Sequence, residues 1–494
     1  MKSIFNTCVI FFLLFSGAYS QIQRFNGQKI SGNKNWSGTI VIAGDVTVEP
    51  KGRLIIEPGT KVLFEANKDI SKSGSDKTRS ELIVRGTLIA RGLPGKKITF
   101  TSKAAAPRMG DWYGIEFLHL KSGSIVDYCV IEFANTGITI KNSIMQVNNS
   151  EIRYNYNAGI RAEVKAKPII KNNILSENGY AGLICELGAK PILTNNLISL
   201  NRIGVVVFSL SQPNLGSIAP DDNHNPGRNR IFNNEEYNFY NHSNKPILAE
   251  NNSWGDQSIA AIGQKLYDND DNSKYGSIDY VPFLRESVQS NLGNMLLLAQ
   301  NTPQGSAVVR KVNQQKNPES QVRNQVLSVE SGEIIPDSIT QFTEVQDLSI
   351  VGDEDSGKID LSNRLEDATP MIASTSPSET AVNELPVSNK TVANQIDYNQ
   401  TFLELFLDRG KKEYINKPKL RITKVLRNVL RKGEVRIKVI VSKSGDVESA
   451  TILRGINEIL DQAVLATVQK YKYQAGTVNG QPVNFSTSEV FRFE

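Results

Sequence analysis

Cysteine and histidine are scarce in this chain, which limits the chemistry that it could carry. Its 494 residues include three of each. Cys8 falls in the apolar N-terminal segment, while Cys129 and Cys185 lie in apolar, strand-like contexts, so we expect buried thiols and no disulfide framework. The three histidines are scattered and lack the spacing of zinc ligands.

Long apolar runs are also absent beyond the N-terminus. No later stretch reaches the about 18 apolar residues that indicate a membrane-spanning helix. The N-terminal segment combines Lys2, an apolar run over residues 9–15 and an Ala-Tyr-Ser end at Ser20, which is the pattern of a cleaved secretory signal peptide. We therefore expect an exported chain that has no transmembrane span after signal cleavage.

The formal net charge is only +5, but the charge is unevenly distributed. Residues 286–400 are acidic, rich in Gln, Asn, Ser and Thr and poor in aromatics, which predicts a disordered linker. We expect the folded regions on its two sides to be mechanically independent. The residues after the linker are basic. Because export is predicted and no nucleic-acid-binding motif is present, we expect no nucleic-acid partner.

The segment that begins at residue 137 repeats itself. Glycines recur at steps of 22 to 23 residues, and two sets of asparagines keep the same period. The glycines are Gly137, Gly159, Gly182 and Gly204, and the asparagines are Asn149, Asn172 and Asn195 in one set and Asn155, Asn178 and Asn201 in the other. Such a period indicates a solenoid in which side chains stack about 4.8 Å apart. We predict a right-handed parallel β-helix with structural asparagine ladders.

Similar strand-and-turn segments extend this pattern in both directions. Residues 36–48, 52–64 and 82–90 precede the repeats, and residues 251–255 follow them. These segments resemble the opening and closing coils of secreted bacterial parallel β-helix proteins. The resemblance covers nearly all of residues 21–285, and it implies a fold rather than a function.

The repeat register brings two carboxylates together. Aligning the glycines places Lys141, Glu163, Glu186 and Phe208 in one column. Two carboxylates about 5 Å apart are the arrangement of retaining glycosidases, so Glu163 and Glu186 are candidate catalytic residues. The alternative function that they suggest is a polysaccharide lyase or glycoside hydrolase. Glutamates beside a lysine on a solenoid face are also typical of a solvated ladder, and we favour a protein that is not an enzyme.

Oxygen ligands crowd one loop near the closing coil. Asp268, Asp270 and Asp271 supply the carboxylates that calcium prefers, but the next glycine, Gly276, comes too late for an EF-hand loop. We expect no cofactor, with calcium at these three aspartates as the alternative to a capping loop with solvated carboxylates.

The C-terminal residues predict the order strand, strand, helix, strand. Val435, Ile437, Val439 and Val441 alternate with polar residues, as in a half-buried strand, and a Ser-Gly-Asp turn follows at Ser444. Apolar residues then recur at helical spacing, and a closing alternating strand ends the chain.

These elements resemble the C-terminal domain of TonB-type energy transducers. The matching elements are Gly433-x-Val-x-Ile-x-Val-x-Val, Ser444-Gly445-Asp446-Val447, Leu460-Asp461-x-Ala463, Lys470-Tyr471-Lys472-Tyr473, Gly480-x-Pro482-Val483 and Val490-x-Arg492-Phe493. The usual Tyr-Pro before the first strand is replaced by Lys417-Pro418. The resemblance implies a small periplasmic α+β domain that binds short extended peptides of outer-membrane receptors by adding a strand.

Together these patterns predict a mainly β protein with a signal peptide (1–20), a right-handed parallel β-helix (21–285), a disordered linker (286–400) and a TonB-like domain (401–494). We expect an exported protein in the periplasm or at the outer membrane of a Gram-negative bacterium, with a role related to TonB-dependent transport. Its C-terminal domain would bind an outer-membrane receptor or another envelope protein, and its β-helix would present a surface to a glycan.

The last strand is the predicted docking edge for the peptide partner, because a terminal strand often forms the edge of a sheet. The predicted partner-binding residues are Ser486, Ser488, Val490 and Arg492.

Overall fold

The computed structural model describes residues 22–120, 123–255, 258–285 and 397–493. The predicted signal peptide and nearly all of the predicted linker lie outside the described residues. The fold is mainly β, as predicted, and both the β-helix and the C-terminal module belong to one compact unit.

The first described region is a succession of short strands. In chain order its elements are β1 (Gln23–Ile30), β2 (Asn33–Trp36), β3 (Thr39–Val48), β4 (Arg53–Ile56), β5 (Lys61–Phe64), β6 (Glu81–Val84), β7 (Thr87–Arg91), β8 (Ile98–Ser102), β9 (Gly114–Leu118), β10 (Ile125–Asp127), β11 (Cys129–Glu132), β12 (Thr136–Lys141), β13 (Gln146–Asn148), β14 (Glu151–Arg153), β15 (Ala158–Glu163), β16 (Ile169–Lys171), β17 (Ile174–Ser176), β18 (Ala181–Cys185), β19 (Ile192–Thr194), β20 (Leu197–Ser199), β21 (Ile203–Phe208), β22 (Asn214–Gly216), β23 (Arg230–Phe232), β24 (Tyr237–His242), β25 (Ile247–Ala249), α1 (Ile259–Gly263), β26 (Leu266–Tyr267) and β27 (Ile278–Asp279).

These strands stack into three parallel ladders, which form the three faces of a β-helix. The first face contains the second half of β3 and then β6, β9, β12, β15, β18, β21, β24 and β26. The second face contains the first half of β3 and then β5, β8, β11, β14, β17, β20 and β23. The third face contains β2, β4, β7, β10, β13, β16, β19, β22, β25 and β27.

Side chains align from coil to coil at the predicted period. Ile138 pairs with Ile160, Ile160 with Leu183, and Leu183 with Val205, and all four side chains are buried in the central core. The three tryptophans and both described cysteines are also buried. Alternate residues of each strand therefore fill one continuous apolar interior, which stabilises a solenoid whose single coils could not fold alone.

The chain turns between faces at bends where one or two residues adopt a left-handed backbone. The first bend precedes the second face, the second bend precedes the first face, and the third bend precedes the third face. With φ between +46° and +64°, the first-bend residues are Tyr128, Asn149, Asn172, Asn195, Arg228 and Asn251, the second-bend residues are Phe133, Tyr154, Glu177, Leu200 and Asn233, and the third-bend residues are His119, Asn142, Val164, Lys165, Leu187 and Ser209. This conformation costs an ordinary residue about 1–2 kcal/mol, and asparagine tolerates it best.

Asparagine ladders run along the inner side of two bends. In each ladder, the side-chain amide donates to the Oδ1 of the next asparagine at 2.9–3.2 Å. The ladders are Asn155, Asn178, Asn201 and Asn234, and Asn173, Asn196, Asn229 and Asn252. The predicted outer set Asn149, Asn172 and Asn195 is also hydrogen-bonded in series. The second inner ladder was not predicted.

The C-terminal region forms a small α+β module. Its elements are β28 (Thr401–Leu403), a 3-10 turn (Glu404–Phe406), β29 (Tyr414–Asn416), α2 (Lys424–Val429), β30 (Gly433–Val441), β31 (Val447–Arg454), α3 (Glu458–Val468), β32 (Lys472–Tyr473), β33 (Gly476–Val478) and β34 (Gln481–Phe493). The predicted order of strand, strand, helix and strand is present as β30, β31, α3 and β34.

The hairpin of β30 and β31 depends on one glycine. Gly445 has a φ of +87°, and a Cβ at this position would lie 2.0 Å from the carbonyl oxygen of Tyr473. Only glycine fits there. The helix α3 begins at Asn457, whose side chain accepts from the amide of Leu460, and its buried face packs on the sheet.

We predict that Asn178→Ala destabilises the β-helix by about 2–5 kcal/mol, because it leaves several buried polar groups without partners. The Asn178 side chain bonds to Asn201 and to the carbonyl of Ile152, and it accepts from Asn155. Urea unfolding followed by circular dichroism measures the effect. Asn148→Ala, which removes a more exposed amide, is the matched control and should cost less than about 0.5 kcal/mol. Equal costs for the two variants would contradict a structural role for the ladder.

Candidate docking surface of the C-terminal module

The last strand, β34, is not an edge of its sheet, contrary to the premise of the docking prediction. The order of the sheet is β28, β34, β30 and β31. Residues 433–441 of β30 pair antiparallel with residues 485–493 of β34. β34 also pairs with β28, on the side away from β30, and with β33. The strands with a single partner are therefore β31, β33 and the three-residue strand β28.

The short strand β28 is bound to β34 in parallel. Thr401, Phe402 and Leu403 pair with residues 484–486 of β34. Phe402 and Leu403 are buried in the core of the module. An extended segment from the end of the linker region therefore already occupies part of the side of β34 on which a partner strand would pair.

Beyond Ser486, side chains rather than a strand cover this side of β34. Glu404 accepts from the hydroxyl of Thr487. Lys412 donates to the same hydroxyl at 2.9 Å and to the carbonyl oxygen of Ser488. The backbone of β34 is thus masked by residues that directly follow β28 in the chain.

A buried carboxylate fixes this covering segment. Glu489 accepts from the Tyr414 hydroxyl at 2.7 Å and the Tyr473 hydroxyl at 3.1 Å, and it lies 3.0 Å from Lys412 Nζ and 3.4 Å from Lys417 Nζ. Burial raises the pKa of Glu489, but Lys412, the Tyr414 hydroxyl and Lys417 outweigh burial, so the pKa lies below its usual value. The carboxylate therefore stays ionised and holds the segment on β34.

The predicted partner-binding residues lie on the opposite face of the sheet, which contacts the β-helix. Ser488 Oγ donates to Glu177 Oε2 at 2.7 Å, and Arg492 contacts Glu235. Ser486 is buried and Val490 is half-buried. The structure thus brings Ser488 and Arg492 together with acidic residues of the same chain, a contact that the sequence did not predict.

Glu235 of the β-helix lies between two arginines of the module. Its Oε1 is 3.1 Å from Nη2 of Arg436, a side chain that is only 1% exposed, and its Oε2 contacts Arg492. Burial raises the pKa of Glu235, but the two arginines more than compensate, and the pKa lies below its usual value. Glu434 contacts both arginines as well, at 3.2 Å and 3.5 Å. Removal of Glu235 would leave Arg436 buried with one carboxylate fewer.

Aromatic residues of the β-helix complete the contact. Lys438 Nζ lies 4.8 Å from the ring centroid of Tyr154, and burial lowers the pKa of this lysine. The Tyr156 hydroxyl accepts from Arg454 at 2.8 Å. The amide of Met109 donates to the carbonyl of Leu453 at 2.8 Å. The two folded regions are therefore in direct contact, contrary to the expectation that they are mechanically independent.

Apolar residues on the outer side of the second face are buried with the module. Ile174, Leu197 and Phe232 belong to the same hydrophobic cluster as the core of the module. Their inward neighbours Leu175 and Ile198 fill the interior of the β-helix. The signal that could have revealed this contact is the pair of consecutive apolar residues in each short strand, which indicates a strand buried on both faces.

Glu163 and Glu186 stack as predicted, but basic side chains bind both. Glu163 Oε1 is 3.2 Å from Lys141 Nζ, and Glu186 contacts Arg161. Lys141 pairs with Glu163 in the ladder, as the aligned glycines indicate. Burial raises the pKa of Glu186, and Arg161 partly opposes this shift. The arrangement is an ion-paired ladder on the first face.

The aspartates of the closing loop bind backbone amides. Asp268 accepts from the amides of Asp270 at 3.0 Å and Ile278 at 2.7 Å, and Asp271 accepts from the amide of Asp268 at 3.1 Å. Across the part of the chain that the structure describes, no group of three or more His, Cys, Asp or Glu side chains is arranged to hold a metal ion. These contacts favour the interpretation of a capping loop.

A buried carboxylate that the sequence reasoning missed lies at the other end of the first face. Glu81 is fully buried, and its carboxylate accepts from the amides of Ser75 and Asp76. Burial, Glu116 and Asp45 together raise the pKa of Glu81 to about 8. Only its position in an apolar strand could have indicated this environment.

Comparison with known families supports the two-domain interpretation. Residues 426–494 match the family described as Gram-negative bacterial TonB protein C-terminal. Residues 108–254 match the family described as right handed beta helix region. Both resemblances are confirmed. The first family indicates the Gram-negative cell envelope as the setting of this protein.

The comparisons with curated proteins and with solved structures identified no relative of this chain at a significant level. Among the described residues, no helix is long and apolar enough to span a membrane.

We predict that the stability of the β-helix falls as the pH rises from about 4.5 to about 8. The folded pKa of Glu81, about 8, lies above the ordinary value of 4.5, so the folded state binds this proton more tightly. The corresponding stability is present below pH 4.5 and is lost as the pH approaches 8. Thermal unfolding across this range measures the slope, and Glu81→Gln should flatten it. Glu57→Gln, at an exposed carboxylate, controls for the change in net charge. An unchanged slope in Glu81→Gln would contradict the assignment.

Proposed function

We propose that this chain is an exported, non-enzymatic cell-envelope protein whose C-terminal module binds an extended segment of an outer-membrane receptor or another envelope protein. The segment would add as a strand to β34, on the side that β28 and Lys412 now cover. The β-helix would present a second, ligand-binding surface, with a glycan as the proposed ligand. The periplasm or the inner side of the outer membrane is the proposed location.

The parallel pairing of β28 with β34 is the observation that supports this proposal. It places an extended segment beside β34, so this side of the strand accepts backbone hydrogen bonds from a second segment. The pairing is only three residues long and ends in the 3-10 turn Glu404–Phe406. A longer partner strand would form more backbone hydrogen bonds along β34 than β28 does.

The side chains that cover β34 past β28 indicate that a partner strand would replace an existing cover and would not add to a free edge of the sheet. Lys412 and Glu404 satisfy polar groups of Thr487 and Ser488 by side-chain contacts. A partner backbone could satisfy the carbonyl of Ser488 in place of the ammonium group. Because the incoming strand must first displace β28 and this segment, we expect the affinity of the intact chain to be reduced by the fraction of molecules in which the site is covered.

The ion-paired ladder on the first face supports a role without catalysis. Lys141 and Arg161 bind the carboxylates of Glu163 and Glu186, which would otherwise act as acid and nucleophile. This arrangement stabilises the stacked glutamates in the ladder.

The test is a titration of the mature full-length chain with labelled, pooled N-terminal peptides of outer-membrane receptors from the same cell, measured by fluorescence polarisation. We predict that Phe402→Ala binds these peptides more tightly than the unaltered chain by about tenfold or more. Truncation of a buried phenylalanine costs about 3–5 kcal/mol, and here the loss falls on the strand that competes with the peptide.

Leu460→Ala is the matched control. Leu460 is fully buried and belongs to the same cluster, but it lies on α3, outside β28 and outside the segment that covers β34. It should destabilise the module without uncovering β34. Equal affinities in Phe402→Ala and Leu460→Ala, or no binding by any variant at about millimolar peptide, would overturn the proposal.

A further inference from the structure

The second bend of the β-helix differs from the first in the residues that occupy its left-handed positions. At the first bend, four of the six residues are asparagine. At the second bend the residues are Phe133, Tyr154, Glu177, Leu200 and Asn233, which we call the second-bend column. Only the last of these is of the type that tolerates a positive φ well. The β-helix therefore carries backbone strain at the second bend that asparagine would relieve.

Every member of the second-bend column contacts the module. Phe133 and Tyr154 form a hydrophobic cluster with Leu453. Glu177 accepts from Ser488, and Leu200 packs against the core of the module. Asn233, the last member, donates to the carbonyl of Gly410 at 3.0 Å.

The first bend shows what the same backbone does without this constraint. Asn172 donates to Asn149 and Asn195 donates to Asn172, so these side chains bond to their own neighbours along the column. Asparagine tolerates the left-handed backbone, and the side-chain amides satisfy one another's hydrogen-bonding groups. The third bend also has a single asparagine among its left-handed residues, so composition alone does not distinguish the second bend. The second bend is distinguished by its contacts, because each of its five left-handed residues touches the module.

We propose that the second-bend column is a dedicated docking surface for the C-terminal module of the same chain, which holds the module in a docked state. Strained aromatic, aliphatic and acidic residues are kept at this bend because their side chains bind the module. In the docked state, Ser488 and Arg492 are engaged by Glu177 and Glu235, so any partner of this face of the module must first release it.

Charge complementarity identifies the module as the occupant. The surface of the β-helix presents Glu177 and Glu235, and the module presents Arg436, Lys438 and Arg492. Arg436 is 1% exposed, and its buried charge is compensated by Glu434 of the module together with Glu235 of the β-helix. Apolar contacts of the column lie beside these ion pairs, of which the one with Arg436 is the more deeply buried, since the Arg492 side chain is 46% exposed.

The test uses methionine methyl resonances of the mature full-length chain. The sequence has five methionines, of which Met109 is buried beside Leu453 at the docking surface and Met145 is buried in the interior of the β-helix. The Met109 methyl therefore reports docking, and the Met145 methyl reports the fold of the β-helix. No peptide is needed, so this test is independent of the proposed function.

The variant is the double substitution Glu177→Asn with Leu200→Asn, which gives the second bend the residue typical of the first. We expect the ratio of docked to undocked chains to fall by more than about tenfold, seen as a shift of the Met109 resonance with Met145 unchanged. Because strain is relieved, the unfolding midpoint of the β-helix should stay the same or rise. A variant that loses an interaction yet does not lose stability is the expected signature of a docking residue.

Two further variants keep the test decisive. Tyr128→Asn makes the same kind of change at a first-bend residue, with a φ of +48°, and should leave both resonances in place. Glu235→Gln removes the carboxylate between Arg436 and Arg492 without touching a bend, and it should shift Met109 in the same direction as the double variant. If the Met145 resonance also shifts in the double variant, that variant has altered the fold of the β-helix, and the Met109 resonance of Glu235→Gln alone then tests the proposal. A Met109 resonance that does not move in Glu235→Gln and the double variant overturns the proposal.

Discussion

The left-handed residue at the bends between faces is the constraint on which the rest of this structure depends. Three short strands per coil can stack in parallel only if the chain turns sharply between faces, and most of the described turns from Tyr128 to Asn251 place a residue at positive φ. Asparagine meets this demand cheaply and bonds to its copies one coil away. Other residues adopt this backbone at a cost, and at the second bend their side chains contact the C-terminal module.

The C-terminal module is shaped by a different constraint, because the backbone N–H and C=O groups of one long strand all need hydrogen-bond partners. β34 is 13 residues long, and β30 covers only one of its sides. The rest of β34 is covered by the hairpin strand β33, by three residues of β28 and by side chains such as Lys412. Each of these covers is short, and each comes from a segment close to an end of the module. The backbone hydrogen-bonding groups of β34 are therefore satisfied by short segments and side chains that a longer partner strand could replace.

The sequence predicted the repeating coils and the order of strands and helix in the module, but it could not predict the contacts between these two regions. Side chains that recur in each coil, such as Ile160 in the core and Asn178 in a ladder, reveal the period of the β-helix directly from the sequence. The docking contacts involve Glu177, Glu235 and Arg436, which are single residues hundreds of positions apart whose pairing no local pattern encodes. The prediction of β34 as an edge was wrong because the segment that covers it, around Thr401, has no distinctive periodicity. Buried ionisable groups such as Glu81 were missed for the same reason.

The contact with the β-helix and the proposed peptide site share residues of β34, which gives them a physical connection. Ser488 and Arg492 contact the β-helix, while Glu404 and Lys412 cover β34 beyond β28. The covering segment contacts the β-helix as well, because Gly410 accepts from Asn233. Ser488 is common to both, because its hydroxyl donates to Glu177 and its carbonyl accepts from Lys412. A strand that displaces Lys412 must bind the backbone of the residue whose side chain anchors the docked state. A partner strand that replaces Lys412 would therefore change the surroundings of β34 at the residue through which the module contacts Glu177 of the β-helix.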